Sequence, residues 1–194
     1  MTAGWQTGVL RAVAPVGTRT VVKCGGSLLT RPGWPAALRE FLEPLRGSLT
    51  VVVGGGAVVD GLRAIDAASP QPAELMHRLA IEALALSGRL VAEAVGLPLA
   101  AVPAEAGVVV LDVPAWLRRG GRTVDLPAGW HVTSDTIAAA VAHACTATLV
   151  LLKTVPPPLE ADGDLRSLAH AGWVDDHFPD AAESLQRIEW AAPR

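Results

Sequence analysis

Two short apolar runs, each ending in glycines, constrain this chain more than anything else in it. Val21-Val22-Lys23-Cys24 breaks into Gly25-Gly26-Ser27, and Val51-Val52-Val53 breaks into Gly54-Gly55-Gly56. β-Branched residues favour an extended strand. Glycines directly after it let backbone N–H groups approach an anion with no Cβ in the way. Each junction therefore reads as a strand feeding an anion-binding loop, with Lys23 aiming a cation at the first. Glycine pairs also make ordinary tight strand-to-helix turns, and one junction alone would not separate the two readings. Two in one chain point to two anionic groups to be held.

Strand and helix patterns alternate through the rest of the chain. Thr20–Cys24, Leu49–Val53 and Thr148–Leu152 are almost wholly apolar, as expected of parallel, neighbouring strands covered on both faces. Pro32 and Pro35 suit a helix start, and Ala36, Leu38, Phe41, Leu42 and Leu45 give that helix an apolar face before Gly47 ends it. After Gly56 the spacing predicts a helix with Val58, Leu62 and Ile65 inward and Asp60, Arg63 and Asp66 outward. From Pro72 to Val95 apolar residues nearly encircle a longer helix, which predicts burial on more than one side and a face for a second copy of the chain.

Short strands are expected at Pro98–Val102 and Gly107–Asp112, and a short helix at Pro114–Arg119 stopped by Gly120-Gly121. Thr136–Cys145 reads as an alanine-rich helix capped by Ser134 or Asp135. Pro156-Pro157-Pro158 reads as an exposed extended segment, 179–186 as a helix and Ile188–Trp190 as a last strand. The expected fold is α/β, a three-layer αβα sandwich on a mainly parallel sheet. At 194 residues the chain supports one substantial core. Residues 1–19 are expected to be an N-terminal arm or edge hairpin and 20–194 a single compact domain.

The formal net charge of −3 supplies no basic field for nucleic acid or an anionic membrane, so a small-molecule substrate is the expected partner. Cys24 and Cys145 are too few for a disulfide framework or a zinc site. Asp175-Asp176-His177 reads as a solvated turn rather than a metal site, and no protein-held metal is expected. Apolar runs are broken by charge, Gly or Pro, which predicts a soluble, cytoplasmic protein.

Lys23 is the residue hardest to explain structurally, because a lysine inside an apolar strand is costly unless paired. Ligands of doubly wound sheets bind beyond the carboxyl ends of the strands. Lys23, both glycine groups, Ser27 and Thr133-Ser134-Asp135 all fall there by position. Phosphoryl transfer needs this inventory of backbone donors, a lysine and a carboxylate. On residues alone, Asp135 is either a helix cap or the carboxylate that fixes the lysine. Neither the Walker spacing nor the dinucleotide fingerprint is present.

With these residues in place, the chain resembles the amino acid kinase family. Lys23-Cys24-Gly25-Gly26-Ser27 is similar to that family's opening lysine-x-glycine-glycine-serine, and Gly54-Gly55-Gly56 to its second glycine loop. Trp130-His131-Val132-Thr133-Ser134-Asp135 resembles a segment of the archaeal kinases that phosphorylate aminomethylfuran-methyl phosphate in methanofuran biosynthesis; Met76–Ile81 and Val174–Pro179 resemble further stretches of them. The resemblance implies an ATP- and Mg²⁺-dependent phosphotransferase acting on a phosphate or carboxylate acceptor for a one-carbon cofactor, in a homo-oligomer. A non-catalytic small-molecule-binding or regulatory relative is the alternative.

By resemblance, Lys23 and Asp135 would be catalytic, with Asp135 positioning Lys23. Gly25, Gly26 and Ser27 would hold ATP phosphates, with Lys153 replacing contacts that the family's late segment makes, and Gly54, Gly55, Gly56, Thr133 and Ser134 would hold the acceptor. The family's late threonine-aspartate-x-aspartate-glycine segment is replaced here by Lys153-Thr154-Val155-Pro156-Pro157-Pro158.

Overall fold

Six parallel strands and one antiparallel edge strand form a single sheet in the computed structural model, which describes residues 4–15, 17–120, 126–161 and 163–194. The strands are β1 (Trp5–Ala12), β2 (Arg19–Cys24), β3 (Ser48–Val53), β4 (Leu99–Ala100), β5 (Gly107–Leu111), β6 (Thr148–Leu152) and β7 (Arg187–Pro193). Their order is β1-β7-β6-β2-β3-β5-β4. Lys23 pairs in register with Val52 of β3 on one side and Leu151 of β6 on the other, so the three apolar runs are the parallel centre of the sheet. Every residue of β3 and β6 is buried. That is why these strands are apolar throughout instead of alternating.

Residues 5–12 extend the sheet by pairing antiparallel with β7. Gly8 lies opposite Trp190, whose indole occupies the space a Cβ on Gly8 would need. β7 is longer than the three residues expected from its apolar core.

The helices are α1 (Trp34–Leu42), α2 (Gly56–Ala68), α3 (Ala73–Val95), α4 (Val113–Arg118), α5 (Ser134–Cys145), α6 (Leu165–His170) and α7 (Phe178–Ala181). They cover two cores. On one face α5, with Ile137 through Ala142 buried, packs with Leu149, Leu151, Leu168 and Phe178; on the other, Val22, Val51 and Leu152 meet Leu38 and Leu42 of α1. α3 contributes Leu84 to the first core and Val91 and Val95 to the second. The alanines of α5 let its axis lie close to the sheet, since bulky side chains would hold the two layers apart.

Four local expectations are corrected. Val58 and Ile65 of α2 face solvent at 42% and 62% exposure, while Val59 is buried. α2 lies over the end of the sheet, so its apolar periodicity has little core to meet. The helix expected over 179–186 is the single turn α7, because Ala182 ends it and the chain turns into β7. α5 is capped by Thr133, not by Ser134 or Asp135. The strand expected over Pro98–Val102 is only two residues long. α4 reaches Arg118 and Gly120 follows it with φ +72°; Gly121 lies outside the described residues, as do residues 1–3 of the arm. No helix of the described residues is long and apolar enough to cross a membrane.

Candidate active site

Lys23 sits near the carboxyl end of the central strand with 5% of its surface exposed, and the buried carboxylate of Asp135 meets it from the first turn of α5. Lys23 Nζ lies 2.8 Å from Asp135 Oδ1. On the other side of the carboxylate, Lys153 Nζ donates to Asp135 Oδ2 at 2.8 Å and to the carbonyl of Trp173 at 2.6 Å. One carboxylate thus stands between two lysines. The Lys23 contact is a close ion pair without hydrogen-bond alignment, and Oδ1 has no hydrogen-bond donor.

Burial pushes the Asp135 carboxyl up, but the charges of Lys23 and Lys153 and the hydrogen bond from Lys153 outweigh it and hold the group at about 2. Burial and the neighbouring charge of Lys23 bring the Lys153 ammonium down to about 8, with Asp135 opposing them. Cys24, one residue along the strand, points to the opposite face of the sheet, where burial raises its thiol to about 12.

The two glycine loops touch. A Cβ on Gly26 would collide with the backbone of Gly54 and Gly56, and one on Gly56, at φ +50°, with the backbone of Gly26. Both positions must be glycine for the loops to lie this close. Not every donor in them is free. Gly25 N–H donates to Leu152 O and Gly54 N–H to Cys24 O, each at 2.9 Å, extending the ladder past the strand ends. The open donors are Gly26 and Ser27, at the start of a 3-10 turn Gly26–Thr30, and Gly56 at the start of α2, which has no side-chain cap.

Thr133 is likewise engaged. Asp175 Oδ2 accepts from Thr133 N–H at 3.0 Å, from its hydroxyl at 2.7 Å and from Thr136 N–H at 3.0 Å; Oδ1 accepts from the Thr136 hydroxyl at 2.5 Å. The residue read as part of a solvated turn instead clamps the amino end of α5 and so fixes Asp135. The signal available in sequence was the apolar pair Trp173-Val174 just before it, both buried, which draws the following carboxylate inward. Ser134 is buried with its hydroxyl against Gly54, where a Cβ would stand 2.8 Å from it.

Two hollows adjoin the site, one at the glycine loops and one at Lys153. The first, with about 730 Å³ of empty space, is lined by both glycine loops, α2, α3 and the start of α5, including Arg63, His77 and Trp130. The second, about 530 Å³, is lined by Asp135, Lys153, Trp173 and Asp175. Arg63, Trp130 and Thr133 border both. Trp130 is held by a hydrogen bond from Nε1 to Asp66 Oδ2 at 2.8 Å, and the Arg63 guanidinium lies 5.3 Å from its ring centre. Among the described residues no group of three His, Cys, Asp or Glu side chains stands close enough to hold a metal.

The amino acid kinase family profile matches residues 18–170, more than half of the chain and all of the site just described apart from Trp173 and Asp175. The chain belongs to the amino acid kinase family. Solved structures similar to this kinase-family chain include the uridylate kinase of Archaeoglobus fulgidus, at 16% identity over 89% of this chain and 90% of that one, with a TM-score of 0.60. The UMP kinase of Ureaplasma parvum matches at 14% identity over 91% and 99%, TM-score 0.53, and that of Bacillus anthracis at 12% over 73% and 67%, TM-score 0.50. At these identities the likeness is one of fold. No curated protein matches the chain. Family membership and fold together make the chain kinase-like.

Proposed function

We propose that this chain is an ATP-dependent small-molecule phosphotransferase acting on a phosphate or carboxylate acceptor. The observation that carries the reading is the pair of lysines, one buried and one half-buried, sharing one carboxylate beside two open glycine loops. Two cations on one anion leave a positive charge unbalanced in a largely buried site. A buried charge of that kind is costly unless a partner offsets it, and a phosphoryl group in transfer is such a partner.

In the proposed reaction, an acceptor oxygen forms a bond to the γ-phosphorus of ATP while the bond to the β–γ bridging oxygen breaks and ADP leaves. Lys23 stabilises charge on the transferring group, and Lys153 stands beside the same carboxylate. Gly26 and Ser27 present N–H groups from one loop and Gly56 from the other. Asp135 orients both lysines and takes no proton, since it stays ionised down to about pH 2. With Asp175 occupied by α5 as well, neither carboxylate beside the lysines is free to act as a base. That favours an acceptor whose oxygen is already ionised, a phosphate or carboxylate, over an alcohol. Neither is free to hold Mg²⁺, which would arrive with the nucleotide and neutralise phosphate charge there.

Arg63 and His77 give the larger hollow cationic and polar groups over an apolar floor of Val59, Ile81 and Leu84. An anionic acceptor with an apolar body suits it. The likeness of Trp130–Asp135 to the methanofuran-pathway kinases makes a phosphorylated one-carbon-carrier precursor the first acceptor to try. A second copy of the chain is the partner proposed for the exposed leucines of α3.

The deciding experiment is calorimetry with Mg-ATP and a non-hydrolysable analogue, followed by acceptor turnover. Saturable binding of both nucleotides is expected. If neither binds at millimolar concentration, the chain is instead a binding or regulatory member of its family, as the replacement of the late acidic segment by Lys153–Pro158 would then explain.

A further inference from the structure

Behind the first glycine loop, on the face of the sheet away from Lys23, lies a cleft that the phosphotransfer reading does not use. It holds about 480 Å³ of empty space, counting its open mouth, and is walled by Trp5, Leu28, Trp34 and Ala37, with Cys24 at its base and Arg31 among its lining residues. Of six tryptophans in the chain, two wall this one cleft.

Its polar groups are few and unmatched. Arg31 is exposed, and its guanidinium takes part in no ion pair or side-chain hydrogen bond among the described residues. Trp5 Nε1 is buried and has no acceptor, although buried indole N–H groups almost always have one. The Trp5 ring is fixed by packing against Phe41 of α1, with centroids 5.0 Å apart. The cleft thus joins an apolar lining that includes two indoles to a cation with no ion pair among the described residues, and no acidic side chain lines it.

We propose that this cleft binds a second ligand, a small planar apolar anion of the aromatic carboxylate class. The ring lies in the indole-walled slot and the carboxylate meets Arg31, whose planar fork suits that group. Leu28 belongs to the turn Gly26–Thr30, which carries free N–H groups on its other side. Occupancy therefore bears on the loop that faces the lysine pair.

The test uses the full chain without nucleotide, so it is independent of the kinase reading. Phenylacetate is titrated by calorimetry against its neutral isostere phenylacetamide. The carboxylate is expected to bind saturably and about tenfold more tightly than the amide, the usual scale for one charge-assisted contact. Arg31→Gln, an exposed change, should erase that preference, and Ala37→Phe, which fills the slot, should abolish binding with the thermal midpoint retained. No saturable binding at millimolar concentration, equal affinity for the amide, or binding unchanged in the Arg31→Gln protein would each overturn the proposal.

Discussion

A lysine in the middle of an apolar strand was the most informative residue in the sequence, because burial leaves it only two outcomes, a partner or a lost charge. It has the partner. Lys23→Ala removes one of two cations and leaves Asp135 paired to Lys153, so the fold should survive while turnover drops about a hundred- to a thousandfold, the scale for one preorganised donor; steady-state rates beside a thermal melt separate the two effects. Asp135→Asn is expected to do the reverse in stability. It leaves one buried and one half-buried ammonium group with no carboxylate between them and should cost about 3–5 kcal/mol in denaturant unfolding. The pH dependence has definite signs. Asp135 is depressed from 3.8 to about 2, so its stabilisation is complete above pH 4 and lost as pH falls through about 2. Lys153 is depressed from 10.5 to about 8, so its charged form is disfavoured in the folded protein. The resulting penalty is relieved as pH rises through 8 towards 10.5, while any nucleotide affinity that depends on its charge should decline over the same rise. Stability and affinity measured from pH 7 to 10 should therefore move in opposite directions.

Single elements were legible where their pattern was set by the core and illegible where it was set by a partner. The three central strands and α3 followed from continuous or wide apolar patterns, because burial on two faces leaves that mark. α2 misled for the same reason: Val58 and Ile65 have helical spacing but meet solvent. Of the candidate site, Lys23 and the glycine loops could be found from local sequence. The Asp175 clamp could not, because 39 to 42 residues separate it from the donors it holds. Asp175→Ala should release the amino end of α5, lowering stability by about 1–2 kcal/mol, the scale of a lost cap. It should also slow turnover through the displaced Asp135. The conservative Asp175→Asn keeps one acceptor and is expected to recover part of the melting temperature.

At the scale of the whole molecule, α3 leaves Leu79, Leu86 and Leu90 exposed on one face, bordered by Arg78, Glu82, Arg89 and Glu93. Laid antiparallel against its own copy about a centre between residues 85 and 86, the helix sets Arg78 opposite Glu93 and Glu82 opposite Arg89, with Leu86 beside the axis. Such self-complementarity is what a twofold interface requires. Sedimentation should show a dimer at micromolar concentration, and Leu86→Glu should convert it to a monomer that keeps its fold; a wild-type monomer would count against the pairing. The contact between Gly26 and Gly56 has a consequence of another kind. Because the two loops meet backbone to backbone with no side chain between them, the span from one cradle to the other is set like the gap of a caliper. A compound carrying a nucleotide phosphate at one end and an acceptor anion at the other should accordingly show affinity that peaks sharply at a single linker length, and a series differing by one bridging phosphate at a time would read that gap directly.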